Sequence, residues 1–294
     1  MTTQIGRLGV WTWLDSFSAP ETAAFAKRLE DWGYGTLWIP EAVGRDPFSL
    51  IGYLAAQTES IVFATGIANI YARDAMTLKA IHKTLSELAP NRFVLGLGVS
   101  HAHLVSKVRG HEYTKPLSTM RSHLEAMQGA LYMGKEPAED APIVLGALRD
   151  GMLGLAAQAT RGAHPYLVPP AHTAHARKVM GPDAWLCPEQ MVLRETDADK
   201  ARAVARANLQ VYIGLPNYRN NLLQFGFEAD DFENGGSDRL VDEIVTWGDT
   251  DKIRERIQAH WDAGADHVCI QAFRADGAPG PDEALLEDLA PGRD

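Results

Sequence analysis

The sequence is poor in cysteine, in positive charge and in long apolar runs, and each shortage excludes a class of protein. Cys187 and Cys269 are the only cysteines among 294 residues, and both lie in apolar runs, so we expect buried thiols in a reducing compartment. The 38 acidic residues outnumber 28 basic ones, and the net charge of −10 argues against binding to a nucleic-acid backbone. No uncharged run approaches the roughly 18 residues of a membrane span, and residues 1–8 lack a signal-peptide pattern. We therefore expect a cytoplasmic protein without membrane or nucleic-acid partners.

Short apolar runs alternate along the chain with longer segments of helical periodicity. Several runs are apolar throughout, which is typical of parallel strands that are covered on both faces. Strands are predicted at residues 5–13, 36–40, 61–70, 93–99, 142–148, 164–168, 184–193 and 267–273. Strands that alternate with helices indicate βα units. Eight repeats favour an α/β fold closed into a (β/α)8 TIM barrel, with a doubly wound open sheet as the alternative.

The gap between the seventh and eighth predicted strands is too long for a single helix. Two turn-forming stretches interrupt it, GLPNYRNN at 214–221 and GFEADDFENGGS at 226–237. We therefore predict one TIM-barrel domain over residues 1–294 with a helical insertion at 212–247. The insertion is either a lid or oligomer contact, or a plain surface excursion.

Candidate active-site residues follow the strands, because barrel enzymes carry their sites at the carboxyl ends of the strands. This rim is rich in aromatic and amide side chains, which suits a flat conjugated ring better than a metal ion. His101 and His103 could be a pair of metal ligands, but strand eight supplies no carboxylate, so no metal is predicted. His101 alone suits a general acid or base, and a structural histidine is the other interpretation. His172 and His175 lie on a predicted helix and are expected to face solvent.

Two glycine-containing segments could approach a cofactor. The stretch GLG at 96–98 does not continue as a dinucleotide fingerprint, because position 101 is histidine. Its glycines are expected to let a side chain or a ring pack against the barrel wall. The turn GALRDG at 146–151 leads into a predicted helix, whose N-terminus offers free amides to a phosphate. Arg149 could add a bidentate contact, although an ordinary strand-to-helix turn explains the pattern as well.

An ordered set of short motifs resembles the luciferase-like monooxygenase superfamily. The match runs over nearly the whole chain, and the order of the motifs is more specific than any one of them. The motifs are LEDWGYGTLW at 29–38, ATGI at 64–67, FVLGLG at 93–98, WGDTDKI at 247–253 and AGAD at 263–266 before the last strand. Members use either FMN or the deazaflavin coenzyme F-420 (F420). The stretches PEAVGRDPF at 40–48 and GVSH at 98–101 resemble the deazaflavin-dependent branch.

The resemblance implies a cofactor site at the barrel rim. A non-proline cis peptide is expected at Gly66–Ile67, behind the central ring of the coenzyme. Asn69 is expected to face the polar edge of the ring, and Ser100 to line the same site. The turn formed by Leu148, Arg149 and Asp150 is expected to meet the phosphate.

Three departures from the branch leave the substrate open. Ala42 stands where some members have a histidine, His101 where those members have a glutamate, and Arg149–Asp150 where relatives often have Gly-Pro. We therefore predict an oxidoreductase that transfers a hydride between F420 and a small organic substrate, with His101 and then Glu41 as proton carriers, in a homodimer. The alternatives are an FMN-dependent monooxygenase, a binding protein that has lost its cofactor and, more distantly, a metal-dependent hydrolase.

Overall fold

A curled parallel sheet surrounded by helices forms the frame of the structure, a computed structural model that describes residues 2–293. Within residues 2–293, the strands pair in parallel throughout the sheet. In chain order the strand segments are β1 Leu8–Trp11, β2 Thr36–Ile39, β3 Val62–Thr65, β4 Ala68–Asn69, β5 Phe93–Gly98, β6 Ile143–Leu145, β7 Gly162–Ala163, β8 Trp185–Leu186, β9 Glu189–Arg194, β10 Val245–Gly248 and β11 Val268–Phe273.

The sheet closes on itself through the strand formed by β8 and β9. On one side, the Cys187 amide donates to the Ala163 carbonyl at 2.9 Å, and the Glu189 amide donates to the Pro165 carbonyl at 2.9 Å. On the other side, β9 pairs with β11, which pairs with β1. The predicted TIM-barrel fold is therefore confirmed.

The strand boundaries differ from the prediction at three places. The third strand is interrupted at Gly66–Ile67 and the seventh at Cys187–Pro188, where proline has no amide to donate. The sixth strand is Gly162–Ala163, just before the predicted run at 164–168, which contains Pro165. An apolar run locates a strand only approximately, because it also includes the loop residues that enter the core.

Helices cover the outer face of the sheet. Several begin at a side chain that accepts a hydrogen bond from the first turn, such as Ser18, Asp46, Asp74 and Asp249. The α-helices are α1 Ala19–Asp31, α2 Pro47–Ala55, α3 Ala75–Leu88, α4 Pro116–Gly129, α5 Asp150–Ala159, α6 Pro170–Met180, α7 Ala198–Ile213, α8 Pro216–Leu222, α9 Asp238–Ile244, α10 Thr250–Asp262 and α11 Glu283–Asp288. Within residues 2–293, none of these helices combines the length and apolarity needed to cross a membrane.

The segment predicted as a helical insertion contains more than helices. It holds α8, two short 3-10 stretches and α9, and it ends in the strand β10. This strand pairs with β9 in register with residues 191–194, so the last residues of the predicted insertion belong to the sheet. Its sequence, VTWG, directly follows an amphipathic helix, and the sequence pattern does not separate the two elements.

The inside of the barrel is filled by bulky and neutral side chains. Trp38 stacks on His164 with ring centroids 4.3 Å apart, and its indole N–H donates to Nε2 of His267 at 3.0 Å. Cys187 and Cys269 are buried and unpaired in this region, as the sequence predicted. Burial raises the pKa of both thiols, so they act as apolar packing.

Candidate active site

A cavity of about 350 Å³ opens at the carboxyl ends of the strands. One wall is the third-strand interruption, where the Gly66–Ile67 peptide is cis, as the resemblance implied. The indole N–H of Trp11 donates to the Gly66 carbonyl at 2.7 Å. A Cβ on Gly98 would lie 2.3 Å from Cδ1 of Ile67, so the glycine lets Ile67 pack against the next strand. A larger residue at position 98 would therefore force the Ile67 side chain to move.

Aromatic side chains from several elements also line this cavity. Neighbouring ring centroids lie 5.0 Å apart between Trp11 and Tyr166, 5.3 Å between Tyr166 and Tyr212, and 5.8 Å between Tyr212 and Tyr218. Burial raises the pKa of all three tyrosines, so their hydroxyl groups are neutral at pH 7. The cavity, here called the slot, is therefore lined mainly by uncharged aliphatic and aromatic side chains.

A second cavity of about 460 Å³ continues from the slot towards α5. Val99, Ser100, Gly146 and Leu148 line both cavities, so the two are adjacent. The N-terminal turn of α5 borders the second cavity and begins directly after Arg149. Arg149 and this helix N-terminus favour an anion, and the Asp150 carboxylate of the same cavity is 2.7 Å from Nε2 of His175; we call this region the anion-binding end. The slot beside it suits an uncharged ring.

The structure brings together most of the residues predicted as cofactor-binding. Gly66 and Ile67 line the slot, Ser100 and Leu148 line both cavities, and Arg149 and Asp150 line the anion-binding end. These positions are adjacent, as expected for one elongated ligand.

Asn69 does not line either cavity, and its contact with a ligand stays a prediction. Its side-chain carbonyl accepts a hydrogen bond from the Tyr71 amide at 2.9 Å, and the residue is buried. Its side-chain Nδ2 is buried without a hydrogen-bond partner.

His101 lies on the cavity wall and has an uncharged environment. Its Nδ1 is 3.1 Å from Oδ1 of Asn217, and its ring centroid is 5.4 Å from that of Tyr218. An N–H at Nδ1 donates to Asn217, which leaves the lone pair of the neutral ring on Nε2. Burial lowers the pKa of His101 below its usual value, so the ring is neutral at pH 7 and can accept a proton.

Glu41 also lines the slot, but its two oxygens already have partners. Oε2 accepts a hydrogen bond from the Asn69 amide at 2.8 Å, and Oε1 is 2.7 Å from Nη1 of Arg73. These contacts tie the loop after β2 to the loop after β4. Glu41 is therefore better placed to hold the cavity wall than to carry a proton.

The histidines of α6 hold the anion-binding turn. His172 is fully buried, and its Nε2–H donates to the Leu148 carbonyl at 2.6 Å, while Nε2 of His175 is 2.7 Å from the Asp150 carboxylate. The expectation that both face solvent was wrong for His172. Its direction depends on how α6 packs against α5, and helical periodicity alone does not determine that contact.

Several cavity residues were not selected from the sequence. Tyr166 follows β7, and Tyr212, Asn217 and Tyr218 come from the end of α7 and from α8. The only sequence signal was the Gly-Pro-Asn-rich stretch at 214–221, which indicated a turn without showing where it folds. Within residues 2–293, no group of three or more histidine, cysteine, aspartate or glutamate side chains is arranged to hold a metal ion.

Glu189, at the start of β9, is a buried carboxyl group that the sequence analysis did not single out. Its Oε2 accepts a hydrogen bond from the Leu167 amide at 3.3 Å, and its Oε1 is buried without a partner. Burial raises its pKa from 4.5 to about 8. Glu189 is therefore mainly protonated at pH 7.

Replacing Glu189 by glutamine is expected to remove a pH dependence of stability. Between pH 4.5 and 8 the folded protein keeps this proton and the unfolded chain loses it, so stability falls as pH rises, by about 1.4 kcal/mol per pH unit. Above about pH 8 the folded form also ionises and the fall ends. Glu189→Gln should match the wild type near pH 5 and be more stable by roughly 2–4 kcal/mol at pH 8.

Urea unfolding at several pH values measures this difference. Glu87→Gln, at an exposed position of α3, is the matched control and should follow the wild-type curve. Parallel curves for Glu189→Gln and the wild type would show that Glu189 is ionised in the folded protein.

The geometry defines a (β/α)8-barrel enzyme with a slot for a flat ring and an anion-binding turn beside it. The family profile described as luciferase-like monooxygenase matches residues 5–267, and the chain belongs to this family.

Two relatives are similar in sequence. The chain is 30% identical over 157 residues to 5,10-methylenetetrahydromethanopterin reductase from Methanolobus tindarius, an alignment covering 48% of each chain, so it matches about half the length of that relative. It is 23% identical to a Mycobacterium tuberculosis protein provisionally named a coenzyme F420-dependent oxidoreductase, over 92% of this chain and 95% of the relative.

Two solved structures show the same fold. An F420-dependent secondary alcohol dehydrogenase, in complex with an F420–acetone adduct, superposes with a TM-score of 0.75 at 14% identity over 100% of both chains. A type II Baeyer–Villiger monooxygenase of Pseudomonas putida, in complex with FMN, superposes with a TM-score of 0.69 at 17% identity over 97% of this chain and 96% of the other. At these identities the likeness concerns the fold.

Proposed function

We propose that the protein is an oxidoreductase that transfers a hydride between coenzyme F420 and a small organic substrate. The observation that carries the proposal is the adjacent pair of cavities, an uncharged slot bordered by the cis Gly66–Ile67 peptide and an anion-binding end at α5. A conjugated ring with a phosphate-bearing tail has matching shape and charge. The relatives named for F420 support the same assignment.

The residues of the chain fit the coenzyme at both of its ends. Ile67 and Gly66 would support the ring, Ser100 and Leu148 would lie where ring and tail meet, and Arg149 would contact the phosphate. When bound, the deazaflavin supplies the hydride donor or acceptor. The protein orients the ring and excludes water.

Proton transfer is assigned to His101. When an alcohol is oxidised, the substrate loses a hydride from carbon and a proton from oxygen, and Nε2 of neutral His101 accepts the proton. In the opposite direction the imidazolium returns it. Asn217 holds the required tautomer, and Glu41 with Arg73 holds the adjoining loop.

A titration with F420 and with FMN tests the cofactor assignment. F420 should bind at micromolar concentration, and Arg149→Gln should weaken it roughly 10-fold by removing one charged phosphate contact. Lys178→Gln, an exposed change near the end of α6, is the control and should bind normally.

Three other outcomes would contradict the proposal in different ways. Binding of FMN alone, with oxygen consumption by the reduced complex, would indicate a monooxygenase, for which the FMN-containing structure is the precedent. Failure to bind either cofactor would indicate a binding protein on the same fold. Equal affinity of Arg149→Gln and the wild type for F420 would show that the phosphate binds away from Arg149. The cytoplasmic location and the homodimer stay predictions.

A further inference from the structure

A third cavity adjoins the slot on the side opposite to the anion-binding end. It measures about 420 Å³ and lies between the loop after β1, the end of α7 and the segment after β11. Trp13, Val211 and Tyr212 line both this cavity and the slot. A molecule that enters here reaches the slot past these three side chains, without crossing the anion-binding end.

The shared boundary is apolar. The ring of Trp13 meets that of Trp11 edge to face at a centroid distance of 5.4 Å, which continues the aromatic wall outward. Val211 is 63% exposed although it is aliphatic, and Leu215 lines the slot one turn further along the chain. An exposed aliphatic side chain at the mouth of a cavity favours apolar molecules over hydrated ones.

The slot holds no unbalanced charge. Its lining, as the structure describes it over residues 2–293, contains no lysine or arginine. Glu41 is paired with Arg73, and burial keeps His101 and His164 neutral by lowering the pKa of each imidazole. Arg109 comes near from outside the lining, where its guanidinium donates to the Ala42 carbonyl at 3.1 Å.

The third cavity does not attract anions either. Asp15 lines it, and the Arg274 guanidinium is bound to Asp276, with Nε donating to Oδ1 at 3.0 Å. A carboxylate or phosphate that entered would lose its hydration without gaining a free cation.

We propose that the third cavity and the adjoining end of the slot, beside the place of the coenzyme ring, form a substrate site for uncharged molecules with an apolar body, which enter past Trp13, Val211 and Tyr212. The inference rests on the proposed function for the reaction and adds the class of substrate. Neutral alcohols and ketones with an aliphatic or aromatic body fit it. Sugar phosphates and carboxylic acids do not, because no free cation lines the path.

Quenching of the tryptophan fluorescence tests this class without turnover. Methyl 4-oxocyclohexanecarboxylate and the 4-oxocyclohexanecarboxylate anion share one ring and differ in charge. The protein without coenzyme should bind the ester at least about 10-fold more tightly than the anion. Val211→Arg, at an exposed position, should strengthen binding of the anion roughly 10-fold, and the matched neutral change Val211→Gln should keep the preference for the ester.

Some results would overturn the proposal. Anion binding as tight as ester binding in the wild type would do so, and loss of that binding in Arg109→Gln would identify the cation responsible. Absence of ester binding below about 1 mM would also exclude the site. The coenzyme is absent from these titrations, so a failure of the protein to bind F420 does not affect their outcome. Tighter binding of the anion than of the ester would overturn the substrate class and would not contradict hydride transfer.

Discussion

His101→Gln is expected to lower kcat for F420-dependent hydride transfer by roughly 100-fold or more, because a positioned proton carrier contributes about 10²–10⁴-fold to such steps. Affinity for F420 should change little, since the amide fills a similar space beside Asn217. The rate of alcohol oxidation by the wild type should rise with pH through the pKa of His101, which burial places below 6.5, and then level off. This inflection should disappear in the variant.

His103→Gln separates a chemical role from a structural one. His103 lies two residues away at an exposed position, so its replacement should leave both kcat and the pH profile unchanged. A His101→Gln enzyme that keeps the pH inflection, or that loses F420 affinity while kcat stays normal, would assign the proton step to another group.

Acidification from pH 6.5 to 4.5 is expected to unfold the protein through four buried histidines. Burial lowers the pKa of His164, His172 and His267 to about 4 and that of His260 to about 3. The unfolded chain takes up protons below pH 6.5 while the folded protein does not, so stability is lost as pH falls through this window.

Glu189 acts in the opposite direction. Its raised pKa means that the folded protein holds one proton that the unfolded chain has released above pH 4.5. The four imidazoles add about four protons to the unfolded chain and Glu189 offsets one of them, which leaves a difference of about three protons. The free energy of unfolding therefore falls by about 4 kcal/mol for each pH unit of acidification. A typical stability of 5–15 kcal/mol would therefore be exhausted within a few pH units.

Urea unfolding at pH 7, 6 and 5, in low and in high salt, measures the slope. Repulsion between surface charges is screened by salt, whereas the cost of protonating a buried imidazole is not, so the slope should persist in about 1 M salt. A slope corresponding to less than one proton would mean that these histidines are charged in the folded protein.

The order of the elements followed from local sequence features. Continuous apolar runs indicated parallel strands, and helical periodicity indicated the helices between them. The close approach of Gly98 to Ile67 was also foreseeable, because glycine in a strand allows a neighbour to pack against the backbone. These are properties of short segments, so neighbouring residues suffice to determine them.

The candidate site was only partly predictable. The residues directly after strands, such as Ser100 and Arg149, were identified because all carboxyl ends of a parallel barrel meet at one rim. Tyr212, Asn217 and Tyr218 were missed because they reach the rim from helices far along the chain. Their position depends on the packing of α7 and α8 over the barrel.

The sequence by itself determined an acidic α/β barrel with a rim suited to a flat ring, because periodicity, capping and glycine spacing are local. Only the tertiary structure decided which side chains are neutral, paired or free. Glu189 and His172 are buried in it, Glu41 forms an ion pair with Arg73, and His101 forms a hydrogen bond with Asn217. Burial and pairing depend on contacts between residues distant in sequence, and those contacts set the charge of each group.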